Sequence, residues 1–128
     1  MRLLLDTHVL LWAAMGSPRL TAKGLALLND PQCERLFSVV SIWEIVIKSG
    51  LRRDDFSVDA AELRTGLLAN GYSELPILGP HVLYAVRLPA LHKDPFDRLL
   101  VAQTMAEGLT LMTADATVAA YSESILRI

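Results

Sequence analysis

Arg2-Leu3-Leu4-Leu5-Asp6-Thr7-His8-Val9-Leu10-Leu11-Trp12 decides how this chain is read. Three leucines in a row form a short buried strand, Asp6 closes it, and the apolar residues at Val9, Leu10, Trp12 and Ala13 then recur at helical spacing. Gly16-Ser17-Pro18 breaks that helix. The same pattern, a short apolar strand followed by a helix, repeats along the chain. Thr21 can cap a helix carrying Leu25, Leu27 and Leu28, which stops at Asn29-Asp30-Pro31, and Arg35 to Val40 reads as a second strand. Ser41 then caps a helix through Lys48, closed by Gly50. Asp59, with Glu62 three residues on, starts a helix over Ala60 to Ala69 that ends at Asn70-Gly71. A strand near Glu74 to Leu78 follows, and Gly79-Pro80 opens a helix to about Leu88. Pro95 suits the first position of a helix running to Glu107, Gly108 ends it, Leu109 to Met112 is the fourth strand, and Ile125 to Ile128 is a short fifth. Strands alternating with helices specify an α/β fold, an open parallel sheet of four to five strands with helices on both faces.

At 128 residues, and without internal repeats or linkers, the whole chain, 1–128, reads as a single domain, and 52% hydrophobic composition supplies a two-sided core. The mean hydropathy of +0.37 is high for an isolated soluble chain, which hints at a covered surface. Leu10, Leu11, Trp12, Trp43 and Ile47 are the expected contributors. The amino-terminal apolar run is too short for a signal-peptide core, and no segment approaches the ~20 apolar residues of a membrane span, so a cytoplasmic protein with no membrane contact is expected. Cys33 is the single cysteine, which leaves no intramolecular disulfide and no thiol pair for zinc. Its expected role is an inert thiol near a turn.

In an open parallel sheet, ligands bind beyond the carboxyl ends of the strands. Four acidic residues fall there. Asp6 and Asp115 directly follow strands, Glu44 lies early in the helix after strand two, and Asp97 lies in the first turn of the helix before strand four. Two like charges at about 4 Å repel by about 4 kcal/mol at an effective dielectric near 20, so four converging carboxylates call for a cation. Mg²⁺ or Mn²⁺ suits carboxylate oxygens and keeps waters that become nucleophiles, the chemistry of phosphodiester hydrolysis. Net charge is −2, but setting the four acids aside leaves 12 basic against 10 acidic residues, or +2, so bulk charge does not argue against a polyanionic substrate.

Each acid also has an ordinary structural role to weigh. Glu44 can pair with Lys48 at i,i+4, Asp97 can favour a helix dipole, and Asp115 can cap the helix over Ala116 to Tyr121. Asp6 follows Leu3-Leu4-Leu5 with no capping or pairing role evident. Asp94, before Pro95, is an excellent helix cap, with support of the metal site as its second role. Thr7, Ser41 and Thr113 neighbour the acids and are candidates to orient a carboxylate or water. Lys48, Lys93 and Arg98 are candidates to face substrate phosphates. His8 and His92 flank acids, but hydrogen-bonding or core histidines are commoner than ligands, and hard Mg²⁺ prefers oxygen. His81 reads as a surface residue at a helix start. Trp12 and Trp43 read as core or interface rather than base-stacking platforms.

Asp6-Thr-His-Val-Leu-Leu-Trp12, Ser41-Ile-Trp-Glu-Ile-Val-Ile-Lys48, Leu91-His-Lys-Asp-Pro-Phe-Asp-Arg-Leu-Leu-Val-Ala-Gln103 and Leu109-Thr-Leu-Met-Thr-Ala-Asp115 together resemble the PIN-domain nucleases, and within them the VapC-type toxins of bacterial toxin–antitoxin pairs. The resemblance implies that Asp6, Glu44, Asp97 and Asp115 form the acidic quartet that binds Mg²⁺ or Mn²⁺ and cuts RNA. It also implies a homodimer neutralised by a small cognate antitoxin, whose apolar segment would lie in a surface groove and bring Arg or Lys toward Asp6 and Asp97. One departure is Val118, where many relatives place an aromatic residue three positions after the last acid. A housekeeping PIN nuclease acting on RNA or structured DNA is the nearest alternative. A phosphoacceptor receiver domain would need an Asp after strand three and a Lys after the last strand, which this chain lacks, and a haloacid-dehalogenase-type phosphatase would need an Asp where His8 stands.

Overall fold

Leu3, Leu4 and Leu5 are fully buried, and this requires cover on both faces of the strand they form. In the computed structural model, which describes residues 1–51 and 56–128, that strand (β1, Arg2–Leu5) is the centre of a five-stranded, wholly parallel sheet. The other strands are β2 (Glu34–Ser38), β3 (Ser73–Leu75), β4 (Thr110–Thr113) and β5 (Ile125–Arg127), in the order β3-β2-β1-β4-β5. Seven helices are formed among the described residues: α1 (Thr7–Met15), α2 (Ala22–Leu28), α3 (Val39–Gly50), α4 (Ala60–Ala69), α5 (Gly79–Arg87), α6 (Pro95–Glu107) and α7 (Ala116–Ala119). None is long and apolar enough to cross a membrane.

Alternation along the strands divides the core in two. Leu4, Leu36 and Leu111 pack with Leu99, Leu100 and Val101 of α6 on one face. Leu3, Leu5, Phe37 and Met112 pack with Val9 and Leu10 of α1, Leu28 of α2 and Leu67 of α4 on the other. Gly16 and Gly108 close α1 and α6 with φ of 62° and 65°, the left-handed conformation that favours glycine.

Several boundaries differ from the sequence reading. Strand two ends at Ser38, not Val40, and Ser38 rather than Ser41 caps α3, its hydroxyl accepting from the Val40 amide at 3.0 Å. Val39 and Val40 have strand propensity, but the cap formed two residues earlier overrides it. Gly50 is the last residue of α3 rather than its cap. Strand three is Ser73–Leu75, shifted forward from Glu74–Leu78 because its register is set by pairing with Leu36 to Ser38. Leu10 and Leu11 are core residues at 0% and 3% exposure, not partner surface, whereas Trp43 and Ile47 are exposed.

Candidate metal centre

The sheet order reverses between β1 and β4, and β1 leads into α1 through Asp6 while β4 leads into α7 through Asp115. That reversal opens a crevice at the carboxyl edge. α3 leaves β2 at the same edge, and α6, running back toward the start of β4, begins there with Asp94 and Asp97. Topology therefore assembles acids from four segments.

Asp6 is 6% exposed and does cap a helix, contrary to the sequence expectation. Its Oδ1 accepts the Val9 amide at 3.0 Å, and its Oδ2 accepts the Thr113 hydroxyl from the end of β4. Burial raises its pKa above the usual carboxylate range, against the opposing pull of the Thr113 and Val9 hydrogen bonds. Glu44, 2% exposed, accepts the Thr7 hydroxyl at Oε1 and pairs through Oε2 with Lys48. Ser41 Oγ lies 3.0 Å from Thr7 Oγ1, so the two hydroxyls and Glu44 form one buried group. Thr7, Ser41 and Thr113 thus stand beside the acids, though Ser41 does so from inside α3.

Asp94 caps α6, accepting the Phe96 amide at 2.9 Å and the Asp97 amide at 3.4 Å through Oδ1. Its Oδ2 lies 3.3 Å from Lys48 Nζ. Lys48 therefore faces Glu44 and Asp94 and sits over the rings of Phe56 and Phe96, at 5.0 and 5.6 Å from their centroids. Burial pulls its pKa down, but the Glu44 hydrogen bond and charge, with those of Asp94, more than offset this and raise it. Arg98 is committed to structure: its guanidinium donates to the carbonyls of Ala85, Leu88 and Pro89 at 2.9, 3.2 and 3.0 Å and to the Tyr121 hydroxyl at 3.3 Å. Lys93 is exposed.

Asp97 carries the signature of the cluster. Burial, then the carboxylates of Asp94, Glu44 and Asp6, push its pKa up to about 7, while His92 opposes them. Asp115 goes the other way: its modest burial is outweighed by the Thr117 amide, His92 and the Val118 amide, and its pKa is lowered. It caps α7 as one sequence reading allowed, with Oδ1 accepting those amides at 2.7 and 3.3 Å. Carboxylate oxygens with excess negative charge suit a hard divalent cation, and Asp6, Glu44, Asp97 and Asp115 could supply them; among the described residues the three whose ligand atoms all lie within 4.8 Å of one another are His92, Asp97 and Asp115.

One residue, Tyr121, escaped the sequence reading, and another, His92, was expected to hydrogen-bond rather than to ligate. His92 joins Asp97 and Asp115, its Nε2 lying 3.2 Å from an oxygen of each. Tyr121, six residues beyond Asp115, accepts both the His92 amide at 2.9 Å and Arg98, and supplies an aromatic support that Val118 does not. His81 is likewise corrected. It is 1% exposed, not a surface residue, and its ring bonds Glu107 and the Leu78 amide. A concavity of about 670 Å³ between the end of α1 and α4, lined by Arg35, Glu62 and Tyr72 among others, contains none of the four acids. Of the four, Asp6 and Glu44 are buried and Asp97 and Asp115 half-buried.

The acids thus gather at the switch point of a parallel α/β sheet, the place where open sheets of this class bind their ligands. Residues 3–123 match the PIN domain, and the chain belongs to that family. Among solved structures it is similar to VapBC2 from Rickettsia felis bound to a promoter DNA fragment (15% identity, 100% of this chain and 98% of that one, TM-score 0.70). It is similar also to a toxin–antitoxin complex from Klebsiella pneumoniae (18%, 98% and 98%, 0.64) and to VapBC-1 from nontypeable Haemophilus influenzae (14%, 100% and 97%, 0.65). No protein of curated function matches it by sequence.

Proposed function

We propose that this protein is a metal-dependent endoribonuclease that serves as the toxin of a toxin–antitoxin pair. Asp6, Glu44, Asp97 and Asp115 would hold Mg²⁺ or Mn²⁺, and the ion would supply charge neutralisation and an acidified water for phosphodiester hydrolysis. The observation that carries this reading is the match of residues 3–123 to the PIN domain, supported by acids from four segments at the carboxyl edge of the sheet, where burial, then the carboxylates of Asp94, Glu44 and Asp6, push the Asp97 pKa up to about 7. Asp6 and Glu44 present buried carboxylates whose orientation is set by Thr113, Val9 and Thr7. Asp97 at a pKa near 7 exchanges its proton close to neutral pH. Lys93, exposed and next to Asp94 in the chain, would be a candidate to meet a backbone phosphate.

The toxin role is supported by the solved relatives, whose complexes are toxin–antitoxin assemblies. It is supported also by unpartnered apolar surface at Trp43, Val46 and Ile47 on α3 and Val82, Leu83 and Val86 on α5, suited to a homodimer and to an apolar antitoxin segment. Metal-dependent cleavage of total RNA with product mapping tests the reading. Wild type is expected to give discrete cuts with Mg²⁺ or Mn²⁺, and Asp6→Asn none; full activity in Asp6→Asn would overturn the assignment. An isolated chain that stays monomeric, is harmless when expressed and co-purifies with no neighbouring gene product would overturn the toxin role.

A further inference from the structure

His92 has two ring nitrogens in opposite situations. Nδ1 accepts the Asp94 backbone amide at 3.0 Å, and a backbone N–H can only donate. Nδ1 therefore carries a lone pair, and the proton of the neutral ring is on Nε2. Nε2 hydrogen-bonds Asp115 Oδ2 at 3.2 Å and lies 3.2 Å from Asp97 Oδ2. The main chain of His92 is tethered as well, its amide donating to the Tyr121 hydroxyl at 2.9 Å.

We infer that His92 is a fixed N–H donor that clasps Asp97 to Asp115, a positioning residue that sets these carboxylates for metal and is not itself a ligand. The metal half of this inference rests on the proposed nuclease reading; the clasp does not. A competing role has geometry in its favour, since ligand atoms of His92, Asp97 and Asp115 all lie within 4.8 Å of one another, a spacing that a transition metal bound by nitrogen and oxygen can use. Ligation, however, needs the Nε2 lone pair. Freeing it moves the ring proton to Nδ1, where it would meet the Asp94 N–H donor to donor and leave that amide without an acceptor. The other oxygen of Asp115 is taken by the Thr117 and Val118 amides, so ring and helix cap between them orient the whole carboxylate.

Ring nitrogen NMR on the ¹⁵N-labelled chain reads the clasp directly, with His92→Gln assigning the signal among the three histidines. The metal-free protein is expected to show His92 as the Nε2–H tautomer; an Nδ1–H tautomer would overturn the clasp whatever the metal chemistry proves to be. Zn²⁺, a diamagnetic ion that accepts nitrogen, should leave the Nε2 proton in place, and its loss on titration would make His92 a ligand. Calorimetry with Mn²⁺ gives the affinity against which the variants are compared. Removing a residue that orients ligands typically lowers metal affinity by about tenfold or more. His92→Ala should do so, and His92→Gln, which returns an N–H donor near Nε2, should recover most of it; equal losses in the two variants would overturn the positioning role. A wild-type chain that binds no Mn²⁺ would remove the nuclease reading, and the metal half with it, while the tautomer still decides the clasp.

Discussion

Helix α6 carries two polar clusters that differ in one respect. At its first turn Asp97 faces Asp94, Glu44 and Asp6, and burial, then these like charges, push its pKa up to about 7. Two turns on, Gln103 is fully buried yet saturated: its Oε1 accepts the Ser38 hydroxyl, and its Nε2 donates to the Pro76 carbonyl at 3.1 Å and lies 3.3 Å from His81 Nδ1. His81 Nδ1 in turn accepts the Leu78 amide at 3.0 Å, and Nε2 meets Glu107 at 2.8 Å. The second cluster ties the end of β2 and the start of α5 to α6. A satisfied buried network specifies packing, whereas a frustrated one stores a demand for a ligand.

The largest expected effect comes from removing the frustration. Asp97→Asn should reduce metal-dependent RNA cleavage to background while leaving the metal-free melting temperature unchanged or higher, because it deletes repulsion and keeps volume. A cleavage assay paired with thermal melts checks both halves; a melt that drops together with activity would mean Asp97 holds the fold, as Gln103 does.

Gln103→Ala should do the reverse. It leaves a cavity and strands the partners at Ser38 and Pro76, a loss of about 2–4 kcal/mol in denaturant titration, with metal-dependent cleavage retained by the molecules that remain folded. Unchanged stability would show that water replaces the amide without loss.

A smaller effect is the pH dependence that separates the clusters. Asp97 has a folded-state pKa of about 7 against an unfolded value of 3.8, so the fold favours its protonated form. Below the unfolded value both states are protonated and there is no penalty; as pH rises from about 4 through about 7 the folded state loses stability progressively, by at most about 4 kcal/mol at 1.36 kcal/mol per unit. Metal-free melts should therefore decline over that window, Asp97→Asn should flatten the decline, and Mn²⁺ should restore more stability at pH 8 than at pH 6 by binding the native state. Parallel profiles for wild type and Asp97→Asn would place the titration elsewhere.

The smallest effect belongs to the periphery. Lys93→Ala should weaken RNA binding only several-fold, lowering the salt dependence by about one counterion, without altering melts. A change in cleavage rate at saturating RNA would instead bring Lys93 into the chemistry.

Much of this molecule was legible one residue at a time. Leu3-Leu4-Leu5 announces a strand covered on both faces, Pro95 and Gly108 bracket α6, and Asp59 and Asp94 cap helices as their local spacing requires, since each of these preferences acts over a few residues. The four acids were recognisable by their places at the ends of strands and starts of helices. Only tertiary structure decided which charges each of them meets. Lys48 meets Asp94 besides Glu44, the i,i+4 partner its spacing offered, while Arg98 caps the end of α5, His81 is buried against Glu107 and His92 joins two carboxylates; apart from the Glu44 pair, none of these follows from sequence spacing because the partner lies on another segment. Asp6 shows the division within one residue. Its position after β1 is written in the chain, while its helix cap depends on where α1 begins and its raised pKa depends chiefly on burial, which exists only once the sheet has closed around it.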